Sequence, residues 1–226
     1  MTWTAPAGTA ALIFDCDGTL ADTMPAHFRA WSVVMAAAGI PFPEARFYQL
    51  GGMPTSKIIP LMCEEAGLPV PDVAALTVAK EAAFLEVIES VRPLAPVLAV
   101  AEEYRGRLPL AVASGGYRRV VSRTLAVIGV GGWFDAVVCA DDTERHKPDP
   151  DVFLEAARRL GVEPTRCVAF EDTDLGLEAV RRAHMIGVDV RPWVAVGSHP
   201  DALARCSLAS ASGCEPKTGR GPVAGR

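Results

Sequence analysis

Hydrophobic residues fall along this chain in two rhythms. Residues 10–15, Leu110–Ala113, Ala136–Ala140, Cys167–Phe170 and Ile186–Val190 are short, nearly unbroken apolar runs. Runs of that length predict strands buried on both faces, as in a parallel sheet. Between them, segments 94–105, 117–128, one opening at Asp149-Pro150 as N-cap and N1, and one from Asp174 to His184 repeat with helical spacing. Strand–helix alternation of this kind predicts an α/β architecture, a parallel sheet with helices on both faces. The stretch from 23 to 92 breaks that alternation. Met24, Phe28, Trp31 and Met35 mark one face of a helix capped by Asp22 or Thr23, with its second turn near Pro25 and its end at Gly39-Ile40-Pro41. Further helical patterns cover 44–50, 54–66 and 72–90, separated by Gly51-Gly52 and by 67–71, and no strand is expected among them. The division expected is therefore 1–22 plus 93–208 as an α/β core, 23–92 as an inserted all-helical domain, and 209–226 as a disordered tail rich in Ser, Gly, Pro and Ala.

Composition narrows the function more than the fold. At 226 residues, half of them hydrophobic, the chain can bury a sizeable core. Its net charge of −5 argues against a sequence-independent nucleic-acid binder. A small anionic substrate remains compatible, because a bound cation and one lysine can reverse the local field. Lysine is scarce, four residues (57, 80, 147 and 217) against eighteen arginines, so each lysine attracts attention as a point charge. The six cysteines have no metal-ligand spacing and read as reduced thiols. With no basic leader pattern in Met1–Thr9 and no apolar stretch of bilayer-spanning length, a cytoplasmic protein is expected. Nothing in the sequence requires a partner: a monomer is expected and a dimer stays open.

The ends of the predicted strands carry the chemistry. The first run ends in Asp15-Cys16-Asp17-Gly18-Thr19, where alternation sends both carboxylates to one side of the strand end. Paired carboxylates repel unless a cation or shared proton intervenes, and a hard divalent cation such as Mg²⁺ prefers such oxygen ligands. Taken alone, the same residues could serve turn geometry. The second run ends in Ser114-Gly115-Gly116, either a helix cap or a hydroxyl and amides arranged around an anion. After the third comes Lys147-Pro148-Asp149-Pro150, and after the fourth Glu171-Asp172-Thr173. In a parallel sheet these groups converge at the carboxyl edge, where ligands bind. Acids, a hydroxyl, a lysine and two further acids together make an apparatus for phosphoryl transfer with an attacking aspartate.

These four motifs, in this order and spacing over about 10–192, resemble those of the haloacid dehalogenase superfamily. The helical insertion after the first motif is similar to the cap of its β-phosphoglucomutase-like group. The segment from Asp22 to Trp31, Leu94-Ala95-Pro96 and Phe134-Asp135-Ala136 most resemble its fructose-1-phosphate phosphatase branch. The resemblance implies a Rossmann-like, doubly wound core with Mg²⁺ as cofactor and a small sugar phosphate as substrate. It implies that Asp15 is nucleophile and metal ligand, that Asp17 is acid/base with its carbonyl on the metal, and that Lys147 keeps Asp15 ionised. Glu171 and Asp172 would complete the metal shell, and Thr19, Ser114 and Gly115 would position phosphate. A carboxylic acid at Asp17 speaks for phosphate chemistry over dehalogenation.

In the insertion, His27 is either a helix-surface residue or, as the resemblance suggests, faces the site and gates Asp17. Gly51-Gly52 forms a mobile specificity loop. Lys80 reads as a solvated helix residue rather than a substrate ligand. Mutases of the group carry an arginine for a second phosphate where this chain has Thr55, which favours hydrolysis, although Lys57 or Lys80 could stand in. A hexose-phosphate mutase and a non-catalytic binding protein are the alternative readings. Ala183-His184-Met185 departs from the family's usual Ala-Gly-Met and puts the local backbone there in question.

Overall fold

A computed structural model describes residues 3–194. The expected tail, 209–226, lies outside them, as do Cys206 and Cys214. In chain order the main elements begin with β1 (Ala11–Phe14), β2 (Ala21–Asp22), α1 (Met24–Ala37), α2 (Glu44–Gln49), α3 (Thr55–Ala66) and α4 (Val73–Val87). They continue with β3 (Arg92–Pro93), α5 (Ala95–Tyr104), β4 (Leu110–Ala113), α6 (Arg118–Val127) and β5 (Ala136–Val138). The remainder are α7 (Asp151–Leu160), β6 (Cys167–Glu171), α8 (Asp174–Arg182), β7 (Ile186–Asp189) and α9 (Arg191–Val194).

The five apolar runs form one sheet in the order β5-β4-β1-β6-β7, with every pair parallel. The three central strands, β4, β1 and β6, are buried on both faces, which explains the unbroken hydrophobicity of their runs, while the edge strands β5 and β7 are partly exposed. On one face small side chains (Ala11, Ala111, Ala113 and Ala169) let α7 and α8 approach through Phe153, Ala156, Ala157, Ala179 and Val180. On the other, Phe14 stacks on Phe170 at 4.6 Å between ring centres, and Trp3 bridges Phe170 to Tyr104 of α5. Chain order runs outward from β1 first toward β5 and then toward β7. The carboxyl end of β1 is thus the point where the winding reverses, and a crevice opens there.

The stretch between β2 and β3 contains helices and no strand, as expected. Its core is its own: Trp31, Met35, Ile40, Phe47, Ile58, Ile59, Met62 and Cys63 bury one another. A feature absent from the sequence reading ties the two crossings together. β2 and β3 pair antiparallel (Ala21 with Pro93, Asp22 with Arg92), and Leu94 N–H donates to the Leu20 carbonyl at 2.9 Å. Each strand is two residues long, too short to leave a periodic signal.

Several local expectations shift. Thr23 is the residue before α1, but its side chain makes no capping bond, and Pro25 sits in the first turn rather than the second. Pro150 rather than Asp149 precedes α7, whose first residue is Asp151. The third strand stops at Val138 and gives way to a short 3₁₀ turn, Ala140–Asp142. His184 occupies the left-handed region, with φ +58°, just past the end of α8. The chain makes the helix-ending turn regardless, closing Met185 N–H onto the Val180 carbonyl at 3.2 Å.

Candidate active site

β1 ends as a ladder residue: Asp15 N–H still donates to the Phe170 carbonyl at 3.0 Å. The chain then turns tightly, with Leu20 and Ala21 N–H both donating to the Cys16 carbonyl at 3.0 Å. Gly18 sits at φ +85°, and a side chain there would run into the Asp172 carboxylate. The glycine therefore does two things at once, turning the chain and letting β6's acidic end come close. Gly176 has the parallel role beside Glu171, whose carboxylate occupies the space a Cβ would need.

Asp15, Glu171 and Asp172 offer carboxylate oxygens that all lie within 4.8 Å of one another. Lys147 Nζ donates to Asp15 Oδ1 at 2.7 Å and to Glu171 Oε2 at 2.6 Å, with all three side chains at most 7% exposed. Burial, reinforced by the charge of Glu171, pushes the Asp15 carboxyl up to about 7 even against Lys147. The same pair of causes pushes Asp172 well above the usual carboxylate range. Burial alone would depress Lys147, but Asp15 and Glu171 outweigh it and hold the ammonium charged. One lysine is thus too little positive charge for three clustered carboxylates, two of them buried and Asp172 partly so, and the oxygen-only donor set is the kind a hard divalent cation takes. The cluster fits a metal ion. Glu171 is further fixed through Oε1, which accepts from Asp172 N–H, Thr173 N–H and the Thr173 hydroxyl.

Asp17 belongs to the other half of the site. His27 of α1 is buried, not on the helix surface, and its Nε2 lies 3.3 Å from Asp17 Oδ1. Its Nδ1 lies 3.1 Å from Lys80 Nζ of α4. An ammonium can only donate, so Nδ1 accepts and the ring proton sits on Nε2, donating to Asp17. Burial, followed by the charge of Lys80, lowers the imidazole's pKa, in keeping with that neutral tautomer. Burial works to raise Asp17, but the His27 hydrogen bond and the neighbouring Lys80 charge bring it below its ordinary value.

Thr19 donates its hydroxyl to Asp172 Oδ1 at 3.1 Å. Ser114 is buried and accepts from Gly116 N–H at 3.0 Å; it does not cap α6, which follows Tyr117. Gly115 faces the Gly52 carbonyl, and Gly51 and Gly52 lie against Thr173. The loop before α3 therefore rests on the strand-end loops. Beneath it is a cavity of about 110 Å³ lined by Asp15, Asp17, His27, Lys80, Glu81 and Lys147 among others. Thr19, Ser114 and Asp172 stand behind this lining rather than in it.

Two residues of the helical block stand where the sequence does not place them. Lys80 is not solvated: it is 4% exposed and lines the cavity. Glu81, unnoticed in the sequence, accepts from Lys80 Nζ at 3.2 Å and from the Thr55 hydroxyl at 3.4 Å. A signal was available for Lys80, which follows buried Thr77 by three residues and precedes buried Phe84 by four, one helical face. Glu81 carries no comparable signal. Lys57 is exposed and lies outside the lining.

Residues 9–184 match the haloacid dehalogenase-like hydrolase family. The chain is 41% identical over 182 residues to the fructose-1-phosphate phosphatase YqaB of Escherichia coli, covering 80% of this chain and 96% of that protein. It is 30% identical over 178 residues to a phosphorylated carbohydrates phosphatase of Thermotoga maritima, with 76% and 81% covered. The crystal structure of β-phosphoglucomutase from Clostridium difficile superposes with a TM-score of 0.73 at 22% identity, covering 80% of this chain and 84% of that one, a likeness of fold. With the five-stranded parallel sheet and the acidic strand ends in place, the chain belongs to the haloacid dehalogenase-like hydrolase family and is an enzyme of its phosphatase kind.

Proposed function

We propose that this phosphatase hydrolyses small sugar phosphates, of the fructose 1-phosphate type, with Mg²⁺ and through an aspartyl-phosphate intermediate. The observation that carries the reading is Lys147 bridging Asp15 and Glu171, two of a cluster of three carboxylates with Asp172, at the point of the sheet where ligands bind. The similarity to the Escherichia coli and Thermotoga maritima enzymes supports the substrate class.

Asp15, Glu171 and Asp172, with the Asp17 carbonyl, would hold the ion. Bound there, Mg²⁺ supplies the positive charge that the carboxylates lack and neutralises phosphoryl oxygens. Asp15 attacks phosphorus, and the bond from phosphorus to the sugar oxygen breaks. Asp17 gives its proton to the departing sugar oxygen, then takes one from a water that attacks the phosphoaspartate. That releases inorganic phosphate and regenerates Asp15. The His27 Nε2–H bond favours the ionised form of Asp17, the form required in the second half. Lys147 favours the ionised form of Asp15 and, together with the ion, would offset the burial that raises its carboxyl; Thr19 steadies Asp172, and Ser114 and Gly115 shape the loop that receives phosphate. Residues 23–92 act as a cap, and Gly51-Gly52 closes it over a molecule of metabolite size. The buried cysteines 16, 63, 139 and 167 are free thiols, in keeping with a cytoplasmic enzyme, and no helix among the described residues is long and apolar enough to cross a membrane.

The test is phosphate release from a panel of sugar phosphates with and without Mg²⁺, in the natural chain and in Asp15→Asn. The variant is expected to keep its fold and lose turnover; undiminished release would overturn the aspartyl-phosphate route. Phosphorus NMR on β-glucose 1-phosphate with a bisphosphate primer separates hydrolysis from phosphoryl migration. Formation of glucose 6-phosphate without inorganic phosphate would make the protein a mutase.

A further inference from the structure

The cap end of the cavity has its own charge balance. Among the described residues lining it, the lysines are Lys80 and Lys147. Lys147 is committed to Asp15 and Glu171 at the core end. Lys80 is committed to Glu81 and to the neutral ring of His27. The Lys80 and Glu81 side chains are 6% and 17% exposed, so water screens this pair poorly. The Thr55 hydroxyl donates to Glu81 as well, and both bonds go to Oε1. Among the described residues no hydrogen bond reaches Oε2.

We infer that Glu81 makes the cap end of the pocket an acceptor site for an uncharged, hydroxyl-bearing tail and turns away a second phosphate. The inference rests on the phosphatase reading and deepens it to sugar monophosphates over bisphosphates. A sugar hydroxyl can donate to Oε2 without disturbing the Lys80–Glu81 pair. A phosphate at the same place carries nearly two negative charges and meets a carboxylate, with no uncommitted lysine or arginine among the described residues that line the cavity. Its desolvation goes uncompensated, and the repulsion acts across a short, partly dry gap. At the core end the same phosphate meets Lys147 and the metal-binding cluster. The two ends thus sort the substrate by charge, and they fix which end of it reaches Asp15. Discrimination by a repulsive group is the efficient way to reject a ligand that otherwise fits.

The test compares fructose 1-phosphate with fructose 1,6-bisphosphate, as the ratio of their kcat/KM values for phosphate release. The natural chain should favour the monophosphate. Glu81→Gln, which keeps the shape and removes the charge, should shrink that preference about tenfold, mainly through KM for the bisphosphate. Glu81→Asp, which keeps the charge, should hold the ratio nearer the natural value. A ratio unchanged in Glu81→Gln, or shifted equally in Glu81→Asp, overturns the inference while leaving the phosphatase reading intact. The same comparison is read a second way, from the melting shift each ligand gives in an Asp15→Asn background with and without Glu81→Gln. If the natural chain released phosphate from neither sugar, the fructose-phosphate substrate reading would fall, and the melting shifts would still decide the role of Glu81.

Discussion

The carboxyl edge of the sheet and the helical block over it build the two halves of one site by different means. At the edge, ionisable groups come from strand ends, are held by ladder hydrogen bonds and closely fitted glycines, and carry too much like charge to be at ease alone. In the block, His27, Lys80 and Glu81 come from the faces of two packed helices and balance one another. The first half has a deficit of positive charge, of the kind a hard cation would meet. The second has no deficit and acts through geometry and selection. In the proposed function, reactive power is thus concentrated where the backbone is most constrained, and discrimination where a helix face can vary without disturbing the sheet.

The largest effect that separates the halves is expected from Lys147→Met. It leaves Asp15 and Glu171 buried without their partner, so stability should fall by about 3 kcal/mol or more. Phosphate release should fall by roughly a thousandfold, and denaturant unfolding and steady-state kinetics read the two losses. Next is the metal. Chelation should abolish turnover, and Mg²⁺ at about a hundred times its dissociation constant should raise stability by about 2.7 kcal/mol. Asp172→Asn should lose most of that gain in a thermal melt, whereas Lys80→Met should keep it. Retention of the full Mg²⁺ response by Asp172→Asn would remove Asp172 from the cluster's role. Third, Lys80→Met takes away the donor that fixes the His27 tautomer, and kcat should drop about ten- to a hundredfold. An equal loss of the Mg²⁺ response in that variant would erase the distinction between the halves. The smallest effect lies outside both. His184→Gly relieves a left-handed backbone position and should stabilise the protein by about 1 kcal/mol, with turnover unchanged.

The two halves also differ in how well the chain spells them. Asp15, Asp17, Ser114, Glu171 and Asp172 sit at the ends of apolar runs, so finding the strands finds them, whereas Lys147 lies in a longer loop after the third run. His27 is legible only through the resemblance, because a histidine beside an apolar stripe is equally at home on a surface. Lys80 is ambiguous in sequence, because its charge argues for solvent while its position, three after Thr77 and four before Phe84, puts it on the buried face. Glu81 was silent, since its meaning depends on Thr55 from another helix.

By itself the sequence determined the α/β core, the helical insertion and the polar groups delivered to one sheet edge, because period and burial are written locally and a parallel sheet aligns its strand ends. It also determined that a departure from glycine occurs at His184. Only the tertiary structure decided that Asp15 and Asp17 face different partners, that two residues from each linker pair as a ribbon, and that Lys80 is buried against His27 and Glu81. Those outcomes depend on how α1, α3 and α4 pack and on where their side chains meet. The period of α4 puts Lys80 on its inner face, but nothing in either segment says that His27 is what it meets there.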